Sequence, residues 1–277
     1  MSKQFLVVGS PIDHSKSPAI HRAAYEVLGL DWTYGRLEVA KNDLRQVLDN
    51  APEALRGFSV TAPLKEEASR NALWRDEFAE VSGAANTLLR VEHGWNAYNT
   101  DVFGIVQALR GIGVEKPLRV LVIGSGATAR SAILAIRHLN ADAEVLVTAR
   151  NKVSKKELVE FARGLGLHAR SARSLGSVIS KVDLTISTIP AHALDAAIQD
   201  LSVRKTAQIR GPLLDVAYNP WPSLAAQTWG YAGQPVASGL EMLIWQAVAQ
   251  LRIFVGGNPN HELANEVAVL EAMRHAV

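Results

Sequence analysis

The sequence of 277 residues contains no cysteine. This absence excludes disulfide bonds, a thiol nucleophile and every zinc site that needs a cysteine ligand. It is compatible with a reducing compartment, in which disulfides are rare. The eight histidines show neither H-x-H nor H-E-x-x-H spacing, so we expect no metal site.

The sequence also lacks a long apolar run and an excess of charge of one sign. No stretch approaches 18 consecutive apolar residues, and the apolar run in the opening MSKQFLVVGSP is too short for a secretory leader. Lys and Arg number 29 against 27 Asp and Glu, so charge gives no reason to expect nucleic acid or an anionic membrane as a partner. We therefore expect a cytoplasmic protein.

The length of the chain indicates more than one hydrophobic core. Apolar residues make up 48% of the sequence and charged residues 20%, which is typical of an ordinary globular protein, and 277 residues exceed the usual size of a single core. Glycines and a proline in GIGVEKP, residues 111–117, interrupt a helix and mark a break between two series of elements. We expect one domain at 1–101 together with about 240–277, and a second domain at 102–239.

Strands and helices alternate in both series, which predicts right-handed crossovers and a parallel sheet with helices on both faces. In the first series, strands are predicted at 5–9, 32–39 and 57–61, helices at 17–30, 41–55 and 66–83, and a hairpin at 85–101 that turns at His93-Gly94. In the second, strands are predicted at 118–124, 143–150, 182–190 and 211–218, and helices at about 128–139, at 157–166 and at 241–255. The fold class is therefore α/β.

A glycine-rich loop follows the first strand of the second series. The segment VLVIGSGATAR, residues 120–130, gives G-x-G-x-x-A between a strand and a helix. Small residues there allow a tight turn and close approach of a pyrophosphate, while the helix N-terminus faces the anion. A glycine pattern alone also fits an ordinary turn, but its position between strand and helix favours a dinucleotide. The residues predicted to hold it are Gly124, Ser125, Gly126, Ala127, Thr128 and Ala129.

The end of the next strand favours NADP over NAD. An NAD site usually places an acidic residue there, whereas an NADP site places arginine near the 2′-phosphate. Here Arg150, Lys152, Lys155 and Lys156 precede the first acid, Glu157. The alternative is that these cations only solvate the start of a helix, although positive charge at a helix N-terminus opposes its dipole.

A lysine stands just past a strand end in SVTAPLK, residues 59–65. Pro63 has no N–H for a sheet ladder, so the chain must leave the sheet there and Lys65 is expected on a loop or first helical turn. Taken alone, such a residue is an ordinary solvated lysine.

Two further segments place polar groups at the ends of predicted elements. Ser15 and Ser17 lie at the entrance to a helix, where Ser17 is either an N-cap or, with Ser15, a ligand for a small carboxylate. Asn99, Thr100 and Asp101 are either a turn and cap before the next helix or part of a site.

Eight segments in order resemble the shikimate dehydrogenases over nearly the full length. They are GSPIDHSKSPAIH, VTAPLK, GAANT, NTDVFG, GSGATAR, STIP, DVAYNPWP and SGLEMLIWQA. Of these, DVAYNPWP, together with LVTAR, resembles the actinobacterial branch. The resemblance implies an N-terminal α/β substrate domain and a Rossmann-type NADP domain with a cleft between them.

The resemblance also implies roles for individual residues. Lys65 and Asp101 would be catalytic, and Ser15 and Ser17 would bind the shikimate carboxylate. The ring hydroxyls would be surrounded by Thr61, Lys65, Asn86, Asp101 and Gln246, with Tyr218 near the carboxylate and cofactor. The loop 124–129 would be joined at the NADP site by Arg150, Thr188, Ile189, Pro190, Gly239 and Met242.

The activity implied is the reversible NADPH-dependent reduction of 3-dehydroshikimate to shikimate, a step of chorismate and aromatic amino-acid biosynthesis. Lys65 would donate the proton to the developing alkoxide, and Asp101 would orient it. The expected partner is a small-molecule substrate, with no nucleic acid, membrane or metal, and the chain would act as a monomer or homodimer.

The sequence departs from the family pattern at two places, and three alternative functions stay open. Many relatives have Asn where this chain has Ser59, and Asn-Arg-Thr where it has Ala149-Arg150-Asn151, which affects a substrate-side hydrogen bond and the adenosine-phosphate pocket. The alternatives are a quinate/shikimate dehydrogenase that uses NAD, a non-catalytic sensor of a shikimate-like ligand, and another NADP-linked reductase of the same build.

Overall fold

The computed structural model describes residues 2–203 and 208–277. The chain divides into two compact units, 1–104 with 243–277 and 105–242. The domain boundaries expected from the sequence, at 101/102 and near 240, lie three residues from these divisions. Met1 and residues 204–207 of those expected ranges lie outside the described residues.

The elements up to residue 110 supply most of the first unit. In chain order they are β1 (Gln4–Gly9), α1 (Ser17–Val27), β2 (Thr33–Glu38), α2 (Leu44–Asp49), β3 (Leu55–Val60), α3 (Lys65–Asn71), β4 (Trp74–Arg75), α4 (Glu77–Ser82), β5 (Thr87–Val91), β6 (Gly94–Tyr98) and α5 (Asp101–Arg110). The chain passes into the second unit within α5, so the glycine-rich segment 111–117 follows the division rather than marking it.

The remaining elements complete the second unit and return to the first. They are β7 (Arg119–Ile123), α6 (Ala127–Leu139), β8 (Glu144–Thr148), α7 (Lys152–Gly164), β9 (His168–Ser171), β10 (Leu184–Ser187), α8 (Asp195–Val203), β11 (Leu213–Asp215), α9 (Leu224–Tyr231), β12 (Val236–Ser238), α10 (Gly239–Gly256) and α11 (Glu266–His275). The chain re-enters the first unit within α10.

The first sheet is mixed. Its strand order is β2-β1-β3-β5-β6-β4, in which β1, β2 and β3 are parallel and β5 runs antiparallel to both β3 and β6. The predicted hairpin is present, but its turn is Glu92-His93 rather than His93-Gly94, because Val91 pairs with Gly94, the first residue of β6. Lys65 and Asp101 both follow strands of this sheet, at the starts of α3 and α5.

The second sheet is entirely parallel, with the order β12-β11-β10-β7-β8-β9. Counted from β7, this is the order of a Rossmann fold, whose ligands bind beyond the carboxyl ends of the strands, where the order reverses. That reversal lies between β7 and β10, next to the glycine-rich loop.

Several sequence predictions are wrong in extent. The predicted helix at 66–83 is two helices, α3 and α4, separated by β4, which pairs with β6. The predicted helix at 41–55 is limited to α2, because Leu55 already begins β3. The predictions omitted α8, α9, α11, β9 and β12, and placed the start of α7 at residue 157 rather than 152.

Each unit has its own core. Phe58, Leu64 and Leu88 are fully buried in the first unit, and Leu121, Leu213 and Trp229 are fully buried in the second. Within residues 2–203 and 208–277, no helix is long and apolar enough to cross a membrane.

Candidate active site

Lys65 begins α3, immediately after a turn that ends the central part of the sheet. Strand β3 stops at Val60, and the backbone N–H of Leu64 donates to the Thr61 carbonyl at 3.0 Å across Pro63. Proline cannot continue the ladder, and its missing N–H is of no consequence in a turn. Of the two positions expected for Lys65, a loop or a first helical turn beyond the strand, the structure has the helical turn.

Lys65 is not a solvated lysine. Its Nζ donates to Asp101 Oδ2 at 2.5 Å, and the two side chains are only 14% and 5% exposed. Asp101 is the first residue of α5, and its backbone N–H donates to Asn99 Oδ1 at 3.2 Å, which orients the start of that helix. The fold thus brings two helix N-termini together and places a largely buried ion pair between them.

Asn86 holds the other carboxylate oxygen of Asp101. Its Nδ2 donates to Asp101 Oδ1 at 2.8 Å and lies 3.0 Å from Gln246 Oε1. Its Oδ1 accepts the backbone N–H of Thr100 at 2.9 Å, a group that can only donate, so the orientation of the amide is determined. Asn86, Asp101 and Gln246 are all buried. The structure therefore joins four of the predicted site residues into one hydrogen-bonded group: Lys65, Asn86, Asp101 and Gln246.

Sequence reasoning missed Gln250, which supports Asn86 from the opposite side. Its Nε2 donates to the Asn86 carbonyl and to Thr87 Oγ1, each at 3.0 Å, and its Oε1 accepts from Ser59 Oγ at 2.7 Å. The helical period offered a signal, because Gln250 lies one turn after Gln246 on the same face of α10.

Ser59 is fully engaged inside the protein. It accepts from the Tyr34 hydroxyl at 2.5 Å and donates to Gln250, and it is 5% exposed. The departure from the family at this position is therefore part of a buried support beneath Asn86.

An aromatic stack continues this support towards α1. His21 is fully buried and lies against the Tyr34 ring with centroids 4.1 Å apart. Burial lowers the pKa of His21 to about 4, although its hydrogen bond to the Ser17 carbonyl opposes this shift. Burial also raises the pKa of Tyr34, against the opposing effect of hydrogen bonds with Ser59 and Ser17. Both rings are therefore neutral near pH 7.

The two serines stand at the start of α1. Ser17 is the first residue of that helix and the N-cap is Lys16, so the interpretation of Ser17 as an N-cap is wrong. Ser17 is 5% exposed, and its N–H donates to Ser15 Oγ at 3.3 Å. Arg36, which sequence reasoning also missed, donates to the Ser15 carbonyl through Nη2 at 2.7 Å and Nε at 3.2 Å and holds the loop against β2. Among the described residues no hydrogen bond connects this loop's serine hydroxyls to Lys65 or Asp101.

Two other predicted substrate residues have looser settings. Thr61 follows β3 and is partly buried, with its N–H donating to the Val8 carbonyl at 2.9 Å. Tyr218 lies in the second unit after β11, and burial raises the pKa of its hydroxyl.

In the second unit, the glycine-rich loop connects β7 to α6 as predicted. Gly124 has φ +113°, and a Cβ there would lie 2.3 Å from Thr188 Oγ1, so only glycine fits. By contrast, nothing lies within 4 Å of the position that a Cβ would take on Gly126, the N-cap of α6. The first turn of α6 therefore faces open space at the position where a Rossmann loop receives a pyrophosphate.

Beside this loop lies a cavity of about 400 Å³. Its wall includes Gly124, Ser125, Ala149, Arg150 and Ile189. Arg150 is exposed, and neither it nor Lys152, Lys155 or Lys156 forms an ion pair with a carboxylate in the described parts of the chain. A space of this kind beside uncompensated cations fits a dinucleotide with an additional phosphate.

The remaining predicted cofactor residues also lie in the second unit. Thr188 Oγ1 donates to the Ile123 carbonyl at 2.9 Å, which ties the turn of Thr188, Ile189 and Pro190 to the end of β7. Gly239 begins α10, and Met242 is buried in its first turn. Among the described residues there is no group of His, Asp or Glu side chains that could hold a metal ion.

The first-unit group can exchange a proton with a ligand. A lysine held by a carboxylate that is itself oriented by an amide can act as a hydrogen-bond donor and as a proton donor for an oxygen that becomes negative. The amide groups of Asn86 and Gln246 add donors and acceptors suited to hydroxyl groups.

Comparison with known proteins gives concordant matches along the chain. A family model described as the shikimate dehydrogenase substrate binding domain matches residues 7–88. A curated shikimate dehydrogenase (NADP(+)) of Thermus thermophilus is 31% identical over 273 residues, covering 96% of this chain and 97% of that protein.

Solved structures agree with the sequence comparison. The crystal structure of Mycobacterium tuberculosis shikimate dehydrogenase has a TM-score of 0.86 and 37% identity, covering 99% of both chains. The shikimate 5-dehydrogenase of Thermus thermophilus in complex with NADP(H) and shikimate has a TM-score of 0.83 and 30% identity, covering 99% of this chain and 100% of that one.

Proposed function

The chain belongs to the shikimate dehydrogenase family, and we propose that it catalyses the reversible NADPH-dependent reduction of 3-dehydroshikimate to shikimate. It is thus an NADP-dependent oxidoreductase of chorismate and aromatic amino-acid biosynthesis. The observation that carries this proposal is the Lys65–Asp101 pair, with Nζ and Oδ2 2.5 Å apart and Asn86 on the second carboxylate oxygen.

NADPH, when bound, supplies the two electrons of the reduction. The task of the protein is to manage the charge that develops on the oxygen of the C3 carbonyl. Lys65 stabilises this charge as an ammonium and donates a proton from Nζ, and in the oxidative direction its neutral amine takes the proton back. Asp101 fixes the position of Nζ, and Asn86 fixes Asp101.

The substrate is assigned to the first unit and NADP to the second, with domains at 1–101 plus about 240–277 and at 102–239. The match of the substrate-binding family model to residues 7–88 supports the first assignment. Ser15 and Ser17 would receive the carboxylate, and Thr61, Asn86, Gln246 and Tyr218 would contact the substrate.

NADP would be held by the residues around the glycine-rich loop. The open space at Gly126 and the cavity lined by Ser125 and Arg150 support this assignment. The complete set is Gly124, Ser125, Gly126, Ala127, Thr128, Ala129, Arg150, Thr188, Ile189, Pro190, Gly239 and Met242.

The setting of the reaction is part of the same proposal. We place it in the cytoplasm, with a small-molecule substrate as the partner and the chain as a monomer or homodimer. Sedimentation of the purified chain measures directly whether it is a monomer or a homodimer.

The alternatives are disfavoured by specific residues. An enzyme that prefers NAD would carry an acid after β8, where this chain has Arg150. A sensor without turnover would have no need of a buried proton donor, yet Lys65 and Asp101 are present and paired.

Initial-rate assays with shikimate or quinate and with NADP or NAD test the proposal. We expect kcat/KM for shikimate with NADP to exceed each other combination by roughly tenfold or more, because the site must recognise both hydroxyl pattern and phosphate. A preference for quinate with NAD, or binding of shikimate without turnover, would overturn it.

A further inference from the structure

Ser154 has no role in the proposed function, yet its hydroxyl contacts the glycine-rich loop. It lies in the first turn of α7, and its Oγ is 2.9 Å from Ser125 Oγ. The backbone N–H of Ser154 already donates to Asn151 Oδ1 at 3.2 Å, so the cap of α7 does not depend on the Ser154 hydroxyl. A side-chain bond thus links the loop after β7 with the segment after β8.

The two hydroxyls together have one proton more than their mutual bond uses. Each carries one O–H donor, and either oxygen can accept. Among the described residues, no other hydrogen bond is formed by either hydroxyl. Ser125 lines the cavity beside Arg150. When Ser154 donates to Ser125, the remaining proton belongs to Ser125 and is free for a ligand in that cavity.

The position of the pair identifies the part of a dinucleotide that it faces. In a Rossmann fold the segment after the second strand lies at the adenosine ribose, next to the 2′ position, whereas the helix after the first strand faces the pyrophosphate. Ser154 binds Ser125 from the β8 side, four residues after Arg150, among cations without carboxylate partners. Unpaired cations on that side suit a phosphate monoester, whose charged oxygens accept hydrogen bonds from Arg and Lys.

We propose that Ser154 is a positioning residue for NADP specificity, because its hydroxyl directs the Ser125 O–H towards the 2′-phosphate of the cofactor. This inference rests on the proposed function and deepens it. The pair supplies a neutral donor in the cavity where Ala149 has no side-chain amide.

Fluorescence titration of the full chain with NADPH and with NADH tests the pair without relying on turnover. Ser125→Ala should raise the Kd for NADPH roughly tenfold, because a hydrogen bond to a charged group is lost, and leave the Kd for NADH unchanged. Ser154→Ala should weaken NADPH binding by a few-fold, since the Ser125 hydroxyl then rotates freely. Ser154→Thr should restore binding, and the double variant should bind NADPH no more weakly than Ser125→Ala.

Val153→Ala is the matched control, since Val153 is 68% exposed on the same helical turn. If Ser125→Ala weakened the binding of NADPH and NADH equally, the hydroxyl would contact a part common to both cofactors, and the inference would be overturned. An unchanged Kd for both cofactors would overturn it as well. Parent protein that binds neither dinucleotide would instead overturn the proposed function.

Discussion

Lys65 is the residue whose environment differs most from what its type suggests. A lysine is rarely buried unless it is paired. Here Asp101 accepts a hydrogen bond from Lys65 Nζ on one carboxylate oxygen and from the Asn86 amide on the other. Such a pair contributes little net stability compared with apolar packing, so its presence at the start of two helices is better explained by chemistry than by folding.

Lys65→Ala and Asp101→Asn should each lower kcat by about 10²–10⁴-fold, because one removes the proton donor and the other removes the charge that holds it. The Asn variant retains an oxygen that can accept from Asn86, so it should keep its fold. Steady-state kinetics with separate kcat and KM, together with circular dichroism, measure both effects.

Lys41→Ala is the control, since it removes an exposed lysine of the same unit. A folded Lys65→Ala enzyme with near-normal kcat would contradict the role of Lys65 as proton donor.

At the scale of an element, the loop between β7 and α6 uses two glycines for different reasons. Gly124 has a positive φ and packs against Thr188, so the protein itself requires glycine there. Gly126 has ordinary dihedral angles and empty space beside it, so only a ligand can require glycine at that position. The same motif thus combines a structural glycine with a binding glycine.

Gly124→Ala should destabilise the fold by about 1–3 kcal/mol, because the new methyl group meets Thr188 and the backbone is strained. Gly126→Ala should cost about 1 kcal/mol, because alanine is a somewhat poorer N-cap than glycine, and yet weaken NADPH binding strongly. Urea unfolding and fluorescence titration of both variants distinguish the two effects. Parent-like NADPH affinity in Gly126→Ala would show that the pyrophosphate lies elsewhere.

At the scale of the whole molecule, the fully buried His21 and the partly buried Asp76 of the first unit give folding stability opposite dependences on pH. Asp76 caps α4 by accepting the Ala79 N–H at 2.7 Å, and burial raises the pKa of its carboxyl to about 6. Because its pKa is higher in the folded state, Asp76 contributes to folding stability below about pH 4, and this contribution is lost as pH rises to about 6. His21, whose pKa burial lowers to about 4, contributes above about pH 6.5 and loses that contribution as pH falls to about 4. The two effects nearly cancel.

Asp76→Asn should expose the His21 dependence, because the amide oxygen still caps α4 but no longer titrates. From pH 4 to pH 7, the free energy of unfolding of the variant should rise by up to about 3 kcal/mol more than that of the parent. This difference is the equivalent of the roughly two pKa units by which Asp76 is shifted. Urea unfolding at both pH values measures this difference. Asp43→Asn removes an exposed carboxylate at the N-cap of α2 and is the control for charge. A difference that does not change with pH would contradict the raised pKa of Asp76.

Local sequence predicted those elements whose signals lie within a few residues. The apolar runs of β1, β7 and β8, the hairpin of β5 and β6 and the strand-turn-helix at Gly124 are all confirmed, since alternation and turn chemistry act between near neighbours. The turn of the hairpin lies one residue earlier than predicted, at Glu92-His93. The short strand β4 was missed because its two residues are a strand only through pairing with β6. Helix propensity across 66–83 was overridden by that tertiary contact.

The sequence by itself determined the α/β class, the glycine-rich loop, the family and the types of residue available for proton transfer. Only the tertiary structure decided that Lys65 is buried against Asp101, that Ser17 does not cap its helix, and that Gln250, Tyr34 and Ser59 support Asn86. The physical reason is that burial and hydrogen-bond partnership arise between residues far apart in the chain. In this protein, Ser59 and Gln250 are 191 positions apart and yet share one hydrogen bond.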